Sequence, residues 1–188
     1  MIQLTDREKD IIKENKEYLR RNDIKGFYRE LNSYAIIGPE GIGHVSQFLI
    51  ENGIDVFNYI DTIPSNMFYG TDIKSMSIPD GIIRIQSNAF SNCTKLQEVN
   101  LGNTVKIIDK EAFSGCGKLS QLFLPDSVSV LGSKVFDNCN PNLVIVANKR
   151  TGANRLRCKQ GEIPWYKEHL FLNQQDTGDI DDSEEGIE

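Results

Sequence analysis

Apolar residues recur along the middle of the chain with a constant step, while the positions between them change freely. The step is 23 residues for one set of aromatic and thiol side chains, which are Phe90, Phe113 and Phe136, and Cys93, Cys116 and Cys139. Aliphatic residues keep the same step in the pairs Ile82/Ile85, Val105/Ile108 and Val128/Leu131. Columns that each keep one chemical class indicate a repeat architecture, in which every unit buries its apolar face against its neighbours.

Each repeat also contains the pattern Leu-x-x-(Val/Leu)-x-Leu, which predicts one β-strand per turn. The clearest copies cover residues 96–101 and 119–124, and an atypical first turn covers residues 60–78. A fourth strand is predicted at residues 143–148, after a one-residue insertion at 140–142. Turns stacked about 4.8 Å apart would turn each column into a continuous ladder of like side chains. The pattern therefore predicts a short parallel solenoid.

In the first part of the chain, the spacing of apolar residues predicts helices instead. Thr5 followed by Glu8 is a capping-box signature, and apolar residues at helical spacing continue to about residue 21. A second helix is predicted after a cap at Asn22 or Asp23, and a third over residues 41–52, with Gly53 placed to end it. One more helical turn is predicted at residues 56–60.

The fold class predicted from these patterns is α+β. We expect a helical N-terminal cap at residues 1–59, a solenoid at 60–148, a C-terminal cap at 149–172 and an acidic tail at 173–188. Both ends of the solenoid need a cap, because an uncovered strand edge templates aggregation.

The repeats resemble the BspA-like leucine-rich repeat family. The resemblance is carried by residues 85–96, IQSNAFSNCTKL, and 108–119, IDKEAFSGCGKL, and it implies a protein-binding solenoid without catalytic residues. Residues 48–55 and 63–68 resemble small phage-encoded members of this family. That second resemblance implies an intracellular inhibitor, such as an anti-CRISPR protein, which occludes a host defence nuclease. A chromosomal leucine-rich-repeat adaptor is an alternative.

No set of residues in the sequence predicts catalysis. His44 and His169 are the only histidines, and neither has a partner at metal-ligand spacing. We expect no metal and no cofactor, and we predict that the chain is not an enzyme. An enzyme would need a pocket with convergent titratable groups between the N-terminal helices and the first turn. Cysteines in a buried column, the lack of a signal sequence and the lack of a membrane span predict a cytoplasmic location.

The outward face of the strands is the first candidate binding site. Alternate residues of a strand point away from the core, and the predicted outward set for partner binding is Glu98, Asn100, Gln121, Phe123 and Ile145. Phe123 is unexpected there, because exposed aromatic patches mark partner sites. The alternative is that Trp165 or Phe171 covers it.

Charge segregation gives the second candidate. The formal net charge is −6, and it lies in the tail, whose acids include Asp179, Asp181, Asp182, Glu184 and Glu185. A basic cap precedes it, with Lys149, Arg150, Arg155, Arg157 and Lys159. The tail either covers the basic cap or mimics nucleic acid towards a partner protein. Nucleic acid bound directly to the basic cap is a less favoured hypothesis.

Overall fold

The computed structural model describes residues 2–33, 38–58 and 60–147, together with residues 171–172; for 146–147 and 171–172 it describes the backbone alone. Four helices precede the solenoid within these residues. Their bounds are Asp6–Glu14 (α1), Lys16–Arg20 (α2), Ile24–Ser33 (α3) and Gly38–Glu51 (α4). None of them has the length and apolar character needed to cross a bilayer.

The predicted first helix is interrupted at Asn15. Its start is as expected, because the Glu8 N–H donates to Thr5 Oγ1 (3.3 Å) and the Thr5 N–H donates to Glu8 Oε2 (2.7 Å). At Asn15 the side-chain amide donates to the Ile11 carbonyl (2.9 Å), and the backbone there has φ −103° and ψ 10°. An asparagine that hydrogen-bonds its own preceding turn competes with helix continuation, and this divides the segment into α1 and α2.

The start of α3 and the end of α4 follow their sequence signals, whereas the start of α4 does not. Asp23 Oδ1 accepts the Gly26 N–H (2.7 Å) and begins α3. Helix α4 begins at Gly38, three residues before the predicted start, because Pro39 fits a first helical turn, where its missing N–H costs nothing. Gly53, at φ +76°, ends it, and Ile54 N donates back to the Leu49 carbonyl (3.0 Å).

The solenoid has two strands per turn rather than the single strand that the sequence predicts. The first sheet contains Thr62–Ile63 (β1), Arg84–Ile85 (β3), Ile107–Ile108 (β5) and Val130–Leu131 (β7). The second sheet contains Ser75–Ser77 (β2), Glu98–Asn100 (β4), Gln121–Leu124 (β6), Val144–Ala147 (β8) and Phe171–Leu172 (β9). Neighbouring strands pair in parallel in both sheets, with each turn beside the next. Two-residue strands carry no readable alternation, so alternation does not reveal the first sheet, although its residues Ile85, Ile108 and Leu131 keep the 23-residue step.

The predicted aromatic column is a continuous stack. The ring centroids of Phe68 and Phe90 lie 4.8 Å apart, those of Phe90 and Phe113 5.1 Å, and those of Phe113 and Phe136 6.1 Å, with the rings close to parallel. Phe57 packs on the first ring at 6.0 Å and so ties the segment after α4 to the stack. The column prediction is confirmed.

The loop that carries these rings forms its own backbone ladder. Phe68 N donates to Ala89 O (2.7 Å), and Phe90 N donates in the same way to Ala112 O (2.8 Å). The loop is shaped by left-handed residues at one repeated position, which are Asn66, Asn88, Glu111 and Lys134, with φ values of 61°, 58°, 58° and 56°. The loop is therefore as regular as the sheets.

The helical cap meets the first turn through close backbone contact. A methyl group at Gly43 of α4 would overlap the carbonyl oxygen of Tyr69, so only glycine allows this approach. One turn later, Gln47 Oε1 accepts the Asp72 N–H (2.9 Å). These contacts fix α4 against the N-terminal end of the solenoid.

Candidate functional site

The outward face of the second sheet is formed by every other residue of its strands. The inward residues Val99, Leu122, Leu124 and Ile145 are buried and Met76 is partly buried. The outward side chains are exposed at Ser75, Ser77, Glu98, Asn100, Gln121 and Phe123. Phe123 is 41% exposed. The placement of Glu98, Asn100, Gln121 and Phe123 on the outward face agrees with the alternation in the sequence.

This face changes in character along the solenoid. The first turn presents two serines, and the second presents Glu98 and Asn100, whose side chains share a hydrogen bond (Nδ2 to Oε1, 3.1 Å). The third presents Gln121 beside the phenyl ring of Phe123, and the fourth presents the half-buried Val144. The surface therefore passes from polar to apolar over four turns.

Ile145 does not belong to this face, and its predicted outward orientation is wrong. It is fully buried and pairs with the inward residue Leu122, while Val144 is the partner of Gln121. The insertion at residues 140–142 delays Leu143, but the strand that follows returns to the 23-residue step. The prediction counts the strand from Leu143 and so includes the inserted residue. A shift of one residue moves a side chain to the opposite face of a sheet, and Ile145 is therefore assigned to the wrong face.

The first sheet presents a second exposed face that the sequence pattern did not identify. Its outward residues immediately precede the buried aliphatic column, and they include Arg84, the partly exposed Ile107 and the 43% exposed Val130. Ile83, which is 40% exposed, adjoins them. Arg84 forms two hydrogen bonds with Asp109, at 2.7 and 3.0 Å, and this pair crosses from one turn to the next. A signal was present, since these residues keep the period of the column beside them.

A groove of about 650 Å³ separates α3 from the first turn. Its walls include four charged residues, Asp23, Lys25, Arg29 and Asp61, with Thr62 and Gln86 on the solenoid side. The enzyme alternative required a pocket at this place. Its described lining contains neither histidine nor cysteine.

Comparison with protein families accounts for the solenoid. Residues 61–151, slightly less than half of the chain, match a family described as a BspA type leucine rich repeat region with six copies. Residues 61–151 are a BspA-type leucine-rich repeat region. This assignment confirms the resemblance carried by residues 85–96 and 108–119, and it indicates a protein-interaction module.

Solved structures of bacterial leucine-rich repeat proteins align with parts of the chain. A leucine-rich repeat protein from Bacteroides capillosus is 28% identical, with 47% of this chain and 64% of that chain covered and a TM-score of 0.44. A leucine rich cell surface protein from Faecalibacterium prausnitzii is 30% identical over 40% of this chain and 20% of that chain, with a TM-score of 0.38. The chain spans less than two thirds of the length of either protein. A comparison with curated proteins gave no match.

The cysteines of the BspA-type repeat region form a column of hydrogen-bond donors. Cys93 Sγ donates to the Phe68 carbonyl (2.8 Å), and Cys116 Sγ donates to the Phe90 carbonyl (3.2 Å). Hydrogen bonding with Cys139 and Cys93, together with burial, raises the pKa of the Cys116 thiol. The same hydrogen bond with Cys116 lowers the pKa of the Cys93 thiol, so the two shifts have opposite directions. We assign the column to the core because Cys93 and Cys116 are fully buried and their thiols bond to backbone carbonyls.

The part of the chain that the structure describes contains no group of three metal-ligating side chains close enough to share an ion. The predicted basic cap and acidic tail lie outside the described residues. Their roles, and the boundaries drawn at residues 59/60, 148/149 and 172/173, stay predictions.

Proposed function

We propose that this chain is a non-catalytic protein-binding module whose contact surface is the outward face of the second sheet. The observation that carries the proposal is Phe123, a large aromatic side chain that is 41% exposed. The four phenylalanines of the aromatic column, by contrast, are all buried. Aromatic residues dominate the binding energy of protein interfaces. An exposed ring on a regular sheet is therefore a candidate anchor.

The surroundings of Phe123 support this role. The parallel backbone ladder fixes the spacing of the outward side chains, so a partner meets a preorganised surface, which reduces the entropic cost of binding. The polar Glu98–Asn100 pair lies on the adjacent turn. An apolar centre bordered by polar groups is the usual anatomy of a protein interface.

The experiment is an affinity capture from bacterial lysate with three forms of the full chain. Phe123→Asp places a charge at the proposed anchor, and Val130→Asp is the matched control, because Val130 is similarly exposed (43%) on the other sheet. We expect a stoichiometric protein partner that is lost with Phe123→Asp and retained with Val130→Asp. Recovery of the same proteins by all three forms would remove the second-sheet face from consideration.

A narrower proposal is an intracellular inhibitor that occludes a host protein, such as a defence nuclease. It is supported by the resemblance of residues 48–55 and 63–68 to small phage-encoded family members. If the captured partner is an enzyme, its activity should fall when the purified chain is added and should recover with Phe123→Asp. An unaffected enzyme would favour an adaptor role.

The alternative is a nucleic-acid mimic that acts through the acidic tail. It is supported by seven carboxylates within residues 176–188, where the sequence has no lysine or arginine. Deleting residues 174–188 should then abolish binding to a nucleic-acid-binding partner, and the binding of the intact chain should weaken steeply with salt. Binding that survives the deletion would exclude the mimic and leave the sheet face.

A further inference from the structure

The exposed residues of the second sheet stand in two register columns, and each column passes from polar to apolar residues along the solenoid. Strand pairing aligns Ser75, Glu98, Gln121 and Val144 in one column and Ser77, Asn100, Phe123, Val146 and Leu172 in the other. Phe171 pairs with Ile145, in the inward column between them. Phe123 therefore begins a run of apolar register positions that continues over the next two strands.

The spacing of this apolar run matches a helix better than an extended peptide. Neighbouring strands lie about 4.8 Å apart, so the positions of Phe123 and Leu172 are about 10 Å apart across three strands. On a helix, residues i, i+4 and i+7 share one face and span about 10.5 Å. Three alternate residues of an extended chain span about 13 Å. A helix that lies across the strands can therefore stay in step with the column.

The polar end of the same face carries a carboxylate without a cation. Glu98 Oε1 accepts a hydrogen bond from Asn100 Nδ2 (3.1 Å), which holds the carboxylate on the face. Glu98 forms no ion pair within the part of the chain that the structure describes. The exposed outward residues of β2, β4 and β6 include no lysine or arginine. A complementary surface would therefore place a positive charge beside apolar side chains.

We propose that the partner presents an amphipathic helix to this face, with apolar side chains over the run that begins at Phe123 and an arginine over Glu98. Glu98 lies on the strand next to Phe123 and two register positions before it, so one long side chain can cross the ring and reach the carboxylate. A guanidinium group forms charge-assisted hydrogen bonds with a carboxylate and is attracted to an aromatic ring. This inference rests on the proposed function, because it identifies the partner segment for the same surface.

The test measures binding of a fluorescently labelled helical peptide to the full chain. The peptide is built on Ala and Gln, which favour helix formation, with leucine at i, i+4 and i+7 and one arginine at i−4. The control has the same composition but places leucine at i, i+2 and i+4, which share one face only in an extended chain. We expect the first peptide to bind at least about tenfold more tightly, because it buries all three leucines at once. Equal affinities, or no binding by either peptide, would overturn the inference.

A double-mutant cycle tests the arginine contact. Its two changes are Glu98→Gln in the chain and Arg→Gln in the peptide. Asp10→Asn is the matched control, because it removes an exposed carboxylate from α1. Each change of the cycle should weaken binding about threefold to tenfold, and both together should weaken it no further than one alone. Losses that multiply, or an equal loss with Asp10→Asn, would show only a non-specific charge effect and would contradict the arginine contact.

Two variants separate this inference from the proposed function. Phe123→Asp should abolish peptide binding and Val130→Asp should leave it intact, with thermal unfolding as the check that both remain folded. Peptide binding that survives Phe123→Asp would place the helix elsewhere and overturn the inference. Dimerisation of the full chain that Phe123→Asp abolishes would assign the face to a second copy and overturn it as well. If the lysate partner depends on Phe123 but the helical peptide does not bind, the inference fails and the proposed function stands.

Discussion

The repeat region and the helical cap are stabilised in different ways. In the repeats the core contacts recur from turn to turn, as when Phe90 stacks at 4.8 Å on the ring before it and at 5.1 Å on the ring after it. In the cap the side-chain contacts between helices are single. The Tyr28 hydroxyl donates to Ser46 Oγ at 2.7 Å, and His44 Nδ1 lies 3.1 Å from Glu8 Oε1.

This difference explains where sequence patterns carry information. A contact repeated at a fixed step imposes the same side chain at that step, because stability in a solenoid is a sum over turns and their interfaces. A contact made once leaves no period to read. Positions in the repeats that depart from the period, such as Phe123, are therefore free to serve binding.

The largest expected effect breaks the aromatic column. Phe113→Ala removes a buried ring that stacks on both sides, and it should lower the free energy of unfolding by about 3–5 kcal/mol. Phe123→Ala removes the same side chain from the outward face and should cost less than about 1 kcal/mol. Denaturant unfolding of both variants measures the difference, and a loss below about 1 kcal/mol at Phe113 would contradict its place in the core.

The next effect tests the contact between cap and repeats. Gly43→Ala should destabilise by about 1–3 kcal/mol, because the new methyl group overlaps the Tyr69 carbonyl and forces a shift of packed backbone. Helix propensity alone predicts the opposite sign, a gain of about 0.8–1.0 kcal/mol. Gly117→Ala is the control, since nothing lies within 4 Å of its added methyl group. A more stable Gly43→Ala chain would exclude the close approach.

A pH-dependent effect is expected at Tyr28 in the cap. Burial raises the pKa of Tyr28, although its hydrogen bond to Ser46 opposes this shift. The unfolded chain then loses the proton first, at about pH 10, so the contribution of Tyr28 to stability is complete below that pH and falls as pH rises above it. The slope for one such group is about 1.4 kcal/mol per pH unit.

The Tyr28→Phe variant isolates the contribution of the Tyr28 hydroxyl to the pH dependence of stability, because all other titrating groups are present in both chains. The difference in unfolding free energy between native chain and variant, measured from about pH 9 to about pH 11, should shrink as pH rises. A constant difference over that range would mean that the Tyr28 hydroxyl ionises as easily in the folded chain as in the unfolded one.

The smallest effect concerns backbone conformation within one repeat. Lys134 adopts φ 56°, at the position that Asn66 and Asn88 occupy in the first two turns. Lys134→Asn should stabilise the chain by about 0.5–1 kcal/mol, because asparagine tolerates the left-handed region better than lysine does. Lys118→Asn, at an exposed position outside the left-handed set, should change little. Thermal unfolding compares the two variants. Equal changes in their unfolding temperatures would mean that any gain comes from the loss of a positive charge and not from the backbone conformation.

Several features of the candidate sites can be predicted from the sequence because they follow from alternation. Counting from the buried leucines places Glu98, Asn100, Gln121 and Phe123 outward, and the structure agrees. The same count misplaces Ile145 because it runs through an insertion. Strand pairing in three dimensions, which aligns Leu122 with Ile145, corrects that register.

Other features leave no local pattern. The break at Asn15 depends on which hydrogen bond the side chain makes, and the groove depends on how α3 lies against the first turn. Lys25 and Asp61 are 36 positions apart in the chain yet approach to 3.9 Å. No spacing in the sequence predicts that distance.

The sequence by itself determined the repeat, its core columns, the helix caps and the exposed ring, because each follows from local spacing and from burial repeated at one step. Only the tertiary structure decided the second strand of each turn, the register of the last turns, the contact of Gly43 with Tyr69 and the groove beside α3. These depend on where separate segments meet, and packing contacts made once in a fold leave no periodic record in its sequence.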